Sequence, residues 1–290
     1  MSEKQSLYIL NSLISLTNRE LKKWYKVPVI LFLSLFQPII WLVLFGKSMN
    51  MGSIFTGTSI EIPGLNMPKE IINEIASKVL LLRFGTTDYF SYLAAGMVSF
   101  IILFTSMSSG MTMVWDRRLG FLNKLLTTPI PRPVIILSKT FSAVLRALVQ
   151  ATIVLLVATL LGLQYKPNVS AIDFLGVYLA LFLMALGLSS LFIMLAIRAS
   201  SWESQMAIMN LLNLPLLFSS NAFYPIDIMP YWLQPFAYIN PITYTNDIVR
   251  QLLLGTTGIN SLFIDYLYLI SFASFLSSVG IILSWKYLSR

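Results

Sequence analysis

Six stretches of this chain carry no charged side chain over a length that can cross a bilayer, which takes about 20 residues of helix. They run over 27–46, 89–115, 147–165, 174–197, 204–226 and 266–285. Only 11% of the 290 residues are charged and 57% are hydrophobic, with a mean hydropathy of +0.77. A soluble domain carries about 25% charged residues, so the chain reads as an integral membrane protein. A seventh charge-free stretch, 228–246, contains Pro230, Pro235 and Pro241. Proline removes a backbone donor and blocks the helical turn before it, so an irregular or re-entrant segment is expected there instead of a span. The expected organisation is one transmembrane domain over 1–290, with spans at 27–46, 89–115, 140–165, 174–197, 204–224 and 262–285.

An even number of spans puts both termini on one side, and the Lys/Arg bias decides which. With the termini inside, thirteen of the 20 Lys and Arg residues are cytosolic and six external, with Arg146 unassigned; acidic residues divide four inside to eight outside. Both termini are therefore expected in the cytosol, of a cell whose plasma membrane holds the chain. The formal charge of +8 flanks apolar runs without forming a continuous basic face, which argues against nucleic acid as a partner. The chain has no cysteine and no histidine. That removes disulfides, thiol nucleophiles, the commonest general base and the commonest metal ligand, and with them much of membrane enzymology. The first 26 residues contain Glu3, Glu20 and other polar residues and do not read as a cleavable signal peptide.

Before the first span, Leu7, Leu10, Ile14, Leu21 and Trp24 recur at helical spacing, with Ser12, Ser15, Arg19, Lys22 and Lys23 between them. This pattern predicts an amphipathic helix over 1–26 lying on the inner leaflet. An external loop is expected over 47–88. Pro68 is placed to start a helix there, with Ile71, Ile72, Ile75, Val79 and Leu82 as its stripe and Glu74–Lys78 as an i, i+4 pair.

Transport against a gradient needs an energy source. The only Gly-Lys-Ser triplet is Gly46-Lys47-Ser48, and a phosphate loop needs a glycine five residues before Gly46; that position is Trp41. An ion-driven carrier usually places ionisable residues deep in its spans, and these interiors hold none. A cytosolic partner is the remaining supplier of energy, and the segment Trp115–Pro131, WDRRLGFLNKLLTTPIP, is where the chain can meet it. In it Leu119, Leu122, Leu125 and Leu126 form an apolar stripe, while Asp116, Arg117, Arg118, Asn123 and Lys124 face elsewhere. Asp116 is expected near the start of this helix, where the positive end favours it. Thr128-Pro129 is expected to stop it. Gly120 is expected mid-helix, where glycine costs about 1 kcal/mol relative to alanine, as if a partner approached too closely for a side chain.

The run Asp116-Arg117-Arg118-Leu119-Gly120-Phe121-Leu122-Asn123-Lys124-Leu125-Leu126-Thr127-Thr128-Pro129 resembles the signature of type-2 ABC-transporter permeases. That signature is an acidic-Arg-x-x-Gly-x-Leu-x-x-Leu-Leu-x-x-Pro pattern joining spans two and three. Asp-Arg-Arg followed by Gly-Phe-Leu is closest to the daunorubicin-resistance-like drug exporters, although many relatives have Glu where this chain has Arg118 and Asn123. A second block is similar to the family's external re-entrant region between spans five and six: Asn221–Pro225, Met229–Pro235 and Asn240–Tyr244, ending at Arg250.

The resemblance implies an all-α permease of six transmembrane helices working with a separate ATP-binding subunit, normally two of each. It implies a cytosolic coupling helix within 116–138, with Asp116, Arg117, Arg118, Gly120, Leu122, Lys124, Leu125, Leu126 and Pro129 as candidate contacts to the ATPase. The amphipathic N-terminal helix would touch the ATPase too. No cofactor is expected on this chain; ATP and Mg belong to the partner. The second permease is a further copy or a paralogue.

Asn210 and Asn213 in the fifth span, with Tyr224 and Trp232 in the external block, are candidates for the cargo path. A polar side chain in a span should face protein or water in preference to lipid, although helix–helix hydrogen bonding explains the asparagines equally well. The expected function is outward movement of a hydrophobic or amphipathic compound, drug or lipid-like. A polysaccharide or lipid-linked glycan is the alternative cargo. A secondary transporter or membrane enzyme is the alternative class, against which the missing histidine and the charge-free spans both count.

Overall fold

The structure, a computed structural model, describes residues 3–48, 69–199 and 201–288. Residues 49–68 lie outside the described residues, and with them about half of the expected external loop, including Pro68, as do the side chains of Ile71, Ile72 and Ile75. The described residues are helical: α1 (Glu3–Tyr25), α2 (Pro28–Ser48), α3 (Lys69–Phe84), α4 (Tyr89–Arg118), α5 (Phe121–Leu126), α6 (Arg132–Leu160), α7 (Ala171–Arg198), α8 (Trp202–Phe218), a 3₁₀ turn (Ile226–Ile228), α9 (Gln234–Ile239), α10 (Pro241–Leu253) and α11 (Leu262–Leu288). Among the described residues, four stretches are long and apolar enough to cross a bilayer: Ser77–Arg118, Arg132–Leu160, Ala171–Arg198 and Leu262–Leu283. In α2 the apolar helix is shorter, Phe32–Leu44, and α8 has 17 residues.

The centre is α4, whose side chains are buried almost all round. It packs most heavily on α7 and α6, and also on α2, α8 and α10. A helix apolar on every face has no solvent side to offer, which suits this sequence to the middle of a bundle. Leu93, Met97, Ile101, Phe192 and Leu181 are among the fully buried side chains there. Gly96 lets another backbone touch α4: a Cβ there would sit 2.5 Å from the Ala222 carbonyl oxygen.

Contacts order the six longest apolar helices in alternating directions. At one end of α4, Asp88 caps its first turn, accepting from the Phe90 and Ser91 amides. The same end receives the last turn of α2 (Gly46 against Phe90) and the end of α6, where the Gln164 amide donates to Ser91 Oγ. At the other end, Asp116 meets the first turns of α6 through Lys139, and Arg117 meets the last residues of α7. Trp115 packs edge-on against Trp202 at the start of α8, centroids 4.9 Å apart. The helix α11 starts beside α10, where Gln251 Nε2 donates to Asp265 Oδ2 at 3.4 Å. It runs on to pair Ser277 with Ser190, in the second half of α7.

Several boundaries differ from expectation for local reasons. Pro235 and Pro241 open α9 and α10 and break neither, because a proline in the first turn gives up a donor that has no partner anyway. Helix α6 begins at Arg132, so 132–138 belongs to a long helix and not to a loop. In α3, Glu74 and Lys78 pair at 2.7 Å as their spacing predicts. There, however, Leu82 is exposed, and Leu80 and Phe84 turn inward.

Candidate functional site

The Asp116–Pro129 segment is two helices, not one. Asp116 sits in the last turn of α4, and the chain breaks at Leu119 and Gly120 before α5 begins at Phe121. This corrects the expectation that Asp116 starts the coupling helix and that Gly120 lies inside it. Gly120 has φ +71° and ψ 3°, the left-handed region that only glycine enters without strain. A Cβ built on it would meet nothing within 4 Å, so its own backbone conformation, and no neighbouring atom of this chain, accounts for the glycine. Leu119, placed on the apolar stripe by spacing alone, falls at the break and is 71% exposed.

Leu122 and Leu125 are buried, packing with Leu126 on a cluster that includes Leu16 of α1, Met113 of α4, Ile135 of α6 and Ile193 of α7. Burying a leucine side chain contributes about 1.5–3 kcal/mol, enough to seat a six-residue helix that has no stability of its own. The outward surface of the segment is then Arg118, Leu119, Asn123, Lys124, Thr127, Thr128 and Pro129.

Beneath α5 lies a buried ion cluster. Asp116 is 3% exposed; Lys139 Nζ lies 2.6 Å from its Oδ2, while Lys23 Nζ and Arg19 Nη2 lie 2.9 and 3.6 Å from its Oδ1. Glu20 accepts from Arg19 and Lys23 at 3.0 Å each and stands 3.6 Å from Lys139. The guanidinium carbon of Arg19 stands 3.2 Å from the centroid of the Phe121 ring, a cation–π contact that joins α1 directly to α5. One group of charges thus ties together α1, α4, α5 and α6. Arg117 donates to the Ile197 and Ala199 carbonyls at 2.6 and 3.0 Å, satisfying the open carbonyl end of α7. At the start of α8, the Ser201 hydroxyl chiefly, then the backbone amide of Glu203 and the charge of Arg118, hold the Glu203 carboxyl below its ordinary range.

Of the nine residues proposed for the coupling surface, Arg118, Lys124 and Pro129 lie outward, Asp116, Arg117, Leu122, Leu125 and Leu126 hold the segment in place, and Gly120 makes the bend. Sequence reasoning missed Glu20 and Lys139. Their signal was there: Glu20 is an acid in a basic amphipathic helix, and Lys139 a lone charge between Pro133 and Leu145.

The cargo-path residues stand apart from this site. Asn210 is exposed, and Asn213 is half-buried with a buried Oδ1 that has no hydrogen-bond partner among the described residues. Tyr224 donates to the Phe218 carbonyl at 3.1 Å, and Trp232 is 71% exposed. Among the described residues, no hydrogen bond links any of these four to another. Arg250 is among the buried polar groups of that end, 3% exposed. It donates to the carbonyls of Tyr92 (3.1 Å), Asn221 (2.8 Å) and Ala222 (3.0 Å), pinning the turn after α8 to α4. Asp247 accepts from the amides of Ile259 and Asn260.

Comparison with known proteins shows the family. The family model described as "ABC-2 type transporter" matches residues 11–254. The chain is 30% identical to ycf38 of Cyanophora paradoxa, named as a transport permease, over 252 residues, which is 87% of this chain and 77% of that protein. It is 27% identical to ycf38 of Porphyra purpurea over the same shares of each chain. It is 25% identical to the daunorubicin resistance ABC transporter permease protein DrrB1 of Streptomyces coeruleorubidus over 174 residues, 60% of this chain and 61% of that one. With a helical bundle apolar enough for a bilayer and a family match over most of its length, the chain belongs to the ABC-2 type transporter permeases.

Proposed function

We propose that this chain is the membrane subunit of an ATP-driven exporter and that α5 is its seat for a separate ATPase. The observation that carries the reading is the division of labour in the Asp116–Pro129 segment. Its apolar and acidic side chains anchor it to α1, α4, α6 and α7, while Arg118, Leu119 and Lys124 are left on the surface. Membership of the family implies an ATPase partner; two ATPase copies and a second permease, identical or paralogous, complete the proposed assembly. ATP and Mg are bound by that partner. The alternation of α2, α4, α6, α7, α8 and α11 supports six crossings with both termini in the cytosol of a plasma-membrane protein, and α9–α10 as an external re-entrant region.

The cargo we favour is a hydrophobic or amphipathic compound moved outward, supported by the drug-resistance name of the relative DrrB1; a polysaccharide or lipid-linked glycan is the alternative. Asn210, Asn213, Tyr224 and Trp232 are its proposed contacts. The test is co-purification of the tagged full-length chain from its native membrane. The wild type should carry ATP hydrolysis that vanishes when the partner is stripped. The pair Arg118→Glu with Lys124→Glu should carry about tenfold less, equal to roughly 1.4 kcal/mol of binding, at unchanged yield of folded permease. Hydrolysis by the stripped chain, or full ATPase recovery with the charge-reversed pair, sinks the proposal.

A further inference from the structure

A cavity of about 390 Å³ lies between α1, α2, α4 and α6, walled by Gln37, Pro38, Ser108, Trp115, Arg146 and Gln150 among others. It is within the size range of ligand pockets, roughly 300–1,000 Å³, and ATPase docking makes no use of it. Arg146 is 8% exposed. Its Nε donates to the Ser142 carbonyl at 3.3 Å, and among the described residues its two terminal nitrogens have no acceptor. Glu20 is the carboxylate whose charge reaches it, but that carboxylate already serves Arg19, Lys23 and Lys139. Lys139 and Arg146 are the buried cations of this group, Arg19 and Lys23 being partly exposed, and both buried carboxylates, Glu20 and Asp116, are already engaged by Arg19, Lys23 and Lys139. A buried charge without a partner is costly, and Arg146, whose terminal nitrogens have no acceptor among the described residues, points to an anion supplied from outside the chain.

We propose that this cavity binds the anionic headgroup of a membrane phospholipid, its phosphate on Arg146 and its polar remainder against Gln37, Gln150 and Ser108. Arginine presents a planar fork of donors that matches phosphate. The volume suits a head and not a whole lipid. Gln37 and Trp115 are exposed where they line the cavity, so it opens between α2 and α4. Leu33, one helical turn from Gln37, and Phe36 beside it are 59% and 47% exposed, leaving an apolar surface for the acyl chains. Pro38 lies within α2 and opens its hydrogen-bond ladder on this side.

The experiment is native mass spectrometry of the purified full-length chain after incubation with vesicles of phosphatidylglycerol and phosphatidylcholine in equal parts. The wild type should retain phosphatidylglycerol in preference. Arg146→Gln should lower that retention about tenfold, and Arg146→Lys should restore part of it. Ser108→Phe, which fills the cavity and leaves every charge in place, should abolish retention; it is decisive if Arg146→Gln does not fold. Equal retention of both lipids, wild-type retention in Arg146→Gln or in Ser108→Phe, or displacement of the lipid by millimolar inorganic phosphate each overturns the proposal. The last outcome makes it a soluble-anion site. None of these outcomes bears on ATPase docking, which rests on other residues.

Discussion

Asp116 accepts from cations on two different helices, and each of those cations is partly or wholly removed from water. Removing the Asp116 charge leaves the buried Lys139 with only Glu20, 3.6 Å away, as a carboxylate partner, and taking one partner from a buried ion pair costs about 3–5 kcal/mol. Asp116→Asn is therefore expected to destabilise the chain by that amount in thermal unfolding monitored in detergent. Asp116→Leu combined with Lys139→Met, which removes the Asp116 and Lys139 charges together, should cost less than the single change. A double variant as unstable as the sum of its parts would contradict the pairing. Gly120 poses a conformational question. A β-carbon in the left-handed region costs about 1–2 kcal/mol, and asparagine tolerates it better than alanine does. Gly120→Ala should weaken ATPase stimulation by the assembled transporter more than Gly120→Asn, although asparagine is the larger. The opposite order would mean that a partner surface, and not the bend, requires glycine.

At the scale of elements, α1 carries three faces. Leu16, Glu20 and Trp24 turn inward; Leu7, Leu10 and Ile14 stay open at 54%, 52% and 56% exposure; Lys22 and Lys23 hold the basic side. Spacing revealed that the helix exists and that Leu7, Leu10 and Ile14 share a stripe, because period and hydrophobicity are local properties. It did not reveal that a second face packs on α6, because burying Glu20 depends on Lys139, more than a hundred residues away in sequence. The break at Gly120 was hidden for a related reason. Glycine fits both a helix interior and a left-handed bend, and the choice is made by Leu122 and Leu125 reaching a tertiary cluster. The long apolar helices were legible from composition. The outward residues Arg118 and Lys124 were legible as polar positions but not as a surface distinct from their inward neighbours. Arg250 was visible as a charge within the irregular block; its three carbonyl partners, on α4 and the turn after α8, come together only in the fold.

For the whole molecule, the absence of cysteine makes sidedness directly measurable, since any introduced thiol is the only one. With six crossings, Lys124→Cys should react with a membrane-impermeant maleimide only in inverted vesicles, and Trp232→Cys only in intact cells. Labelling of both from the same side would remove the six-span topology. The two ends of the bundle are fastened by different means. At the Arg250 end, a short-reach guanidinium fork and a backbone seam at Gly96 leave no slack between α4 and the turn after α8. At the Asp116 end, Arg117 fastens α4 to the end of α7 in the same way, but α1 and α6 reach the carboxylate through two lysine stems, each with four rotatable carbons, and salt bridges of that kind can exchange partners without a gap opening. A stack riveted at one end and laced at the other behaves as a pair of tongs. On the proposed docking of an ATPase at α5, force applied there would spread the laced ends, with the rivet as their pivot.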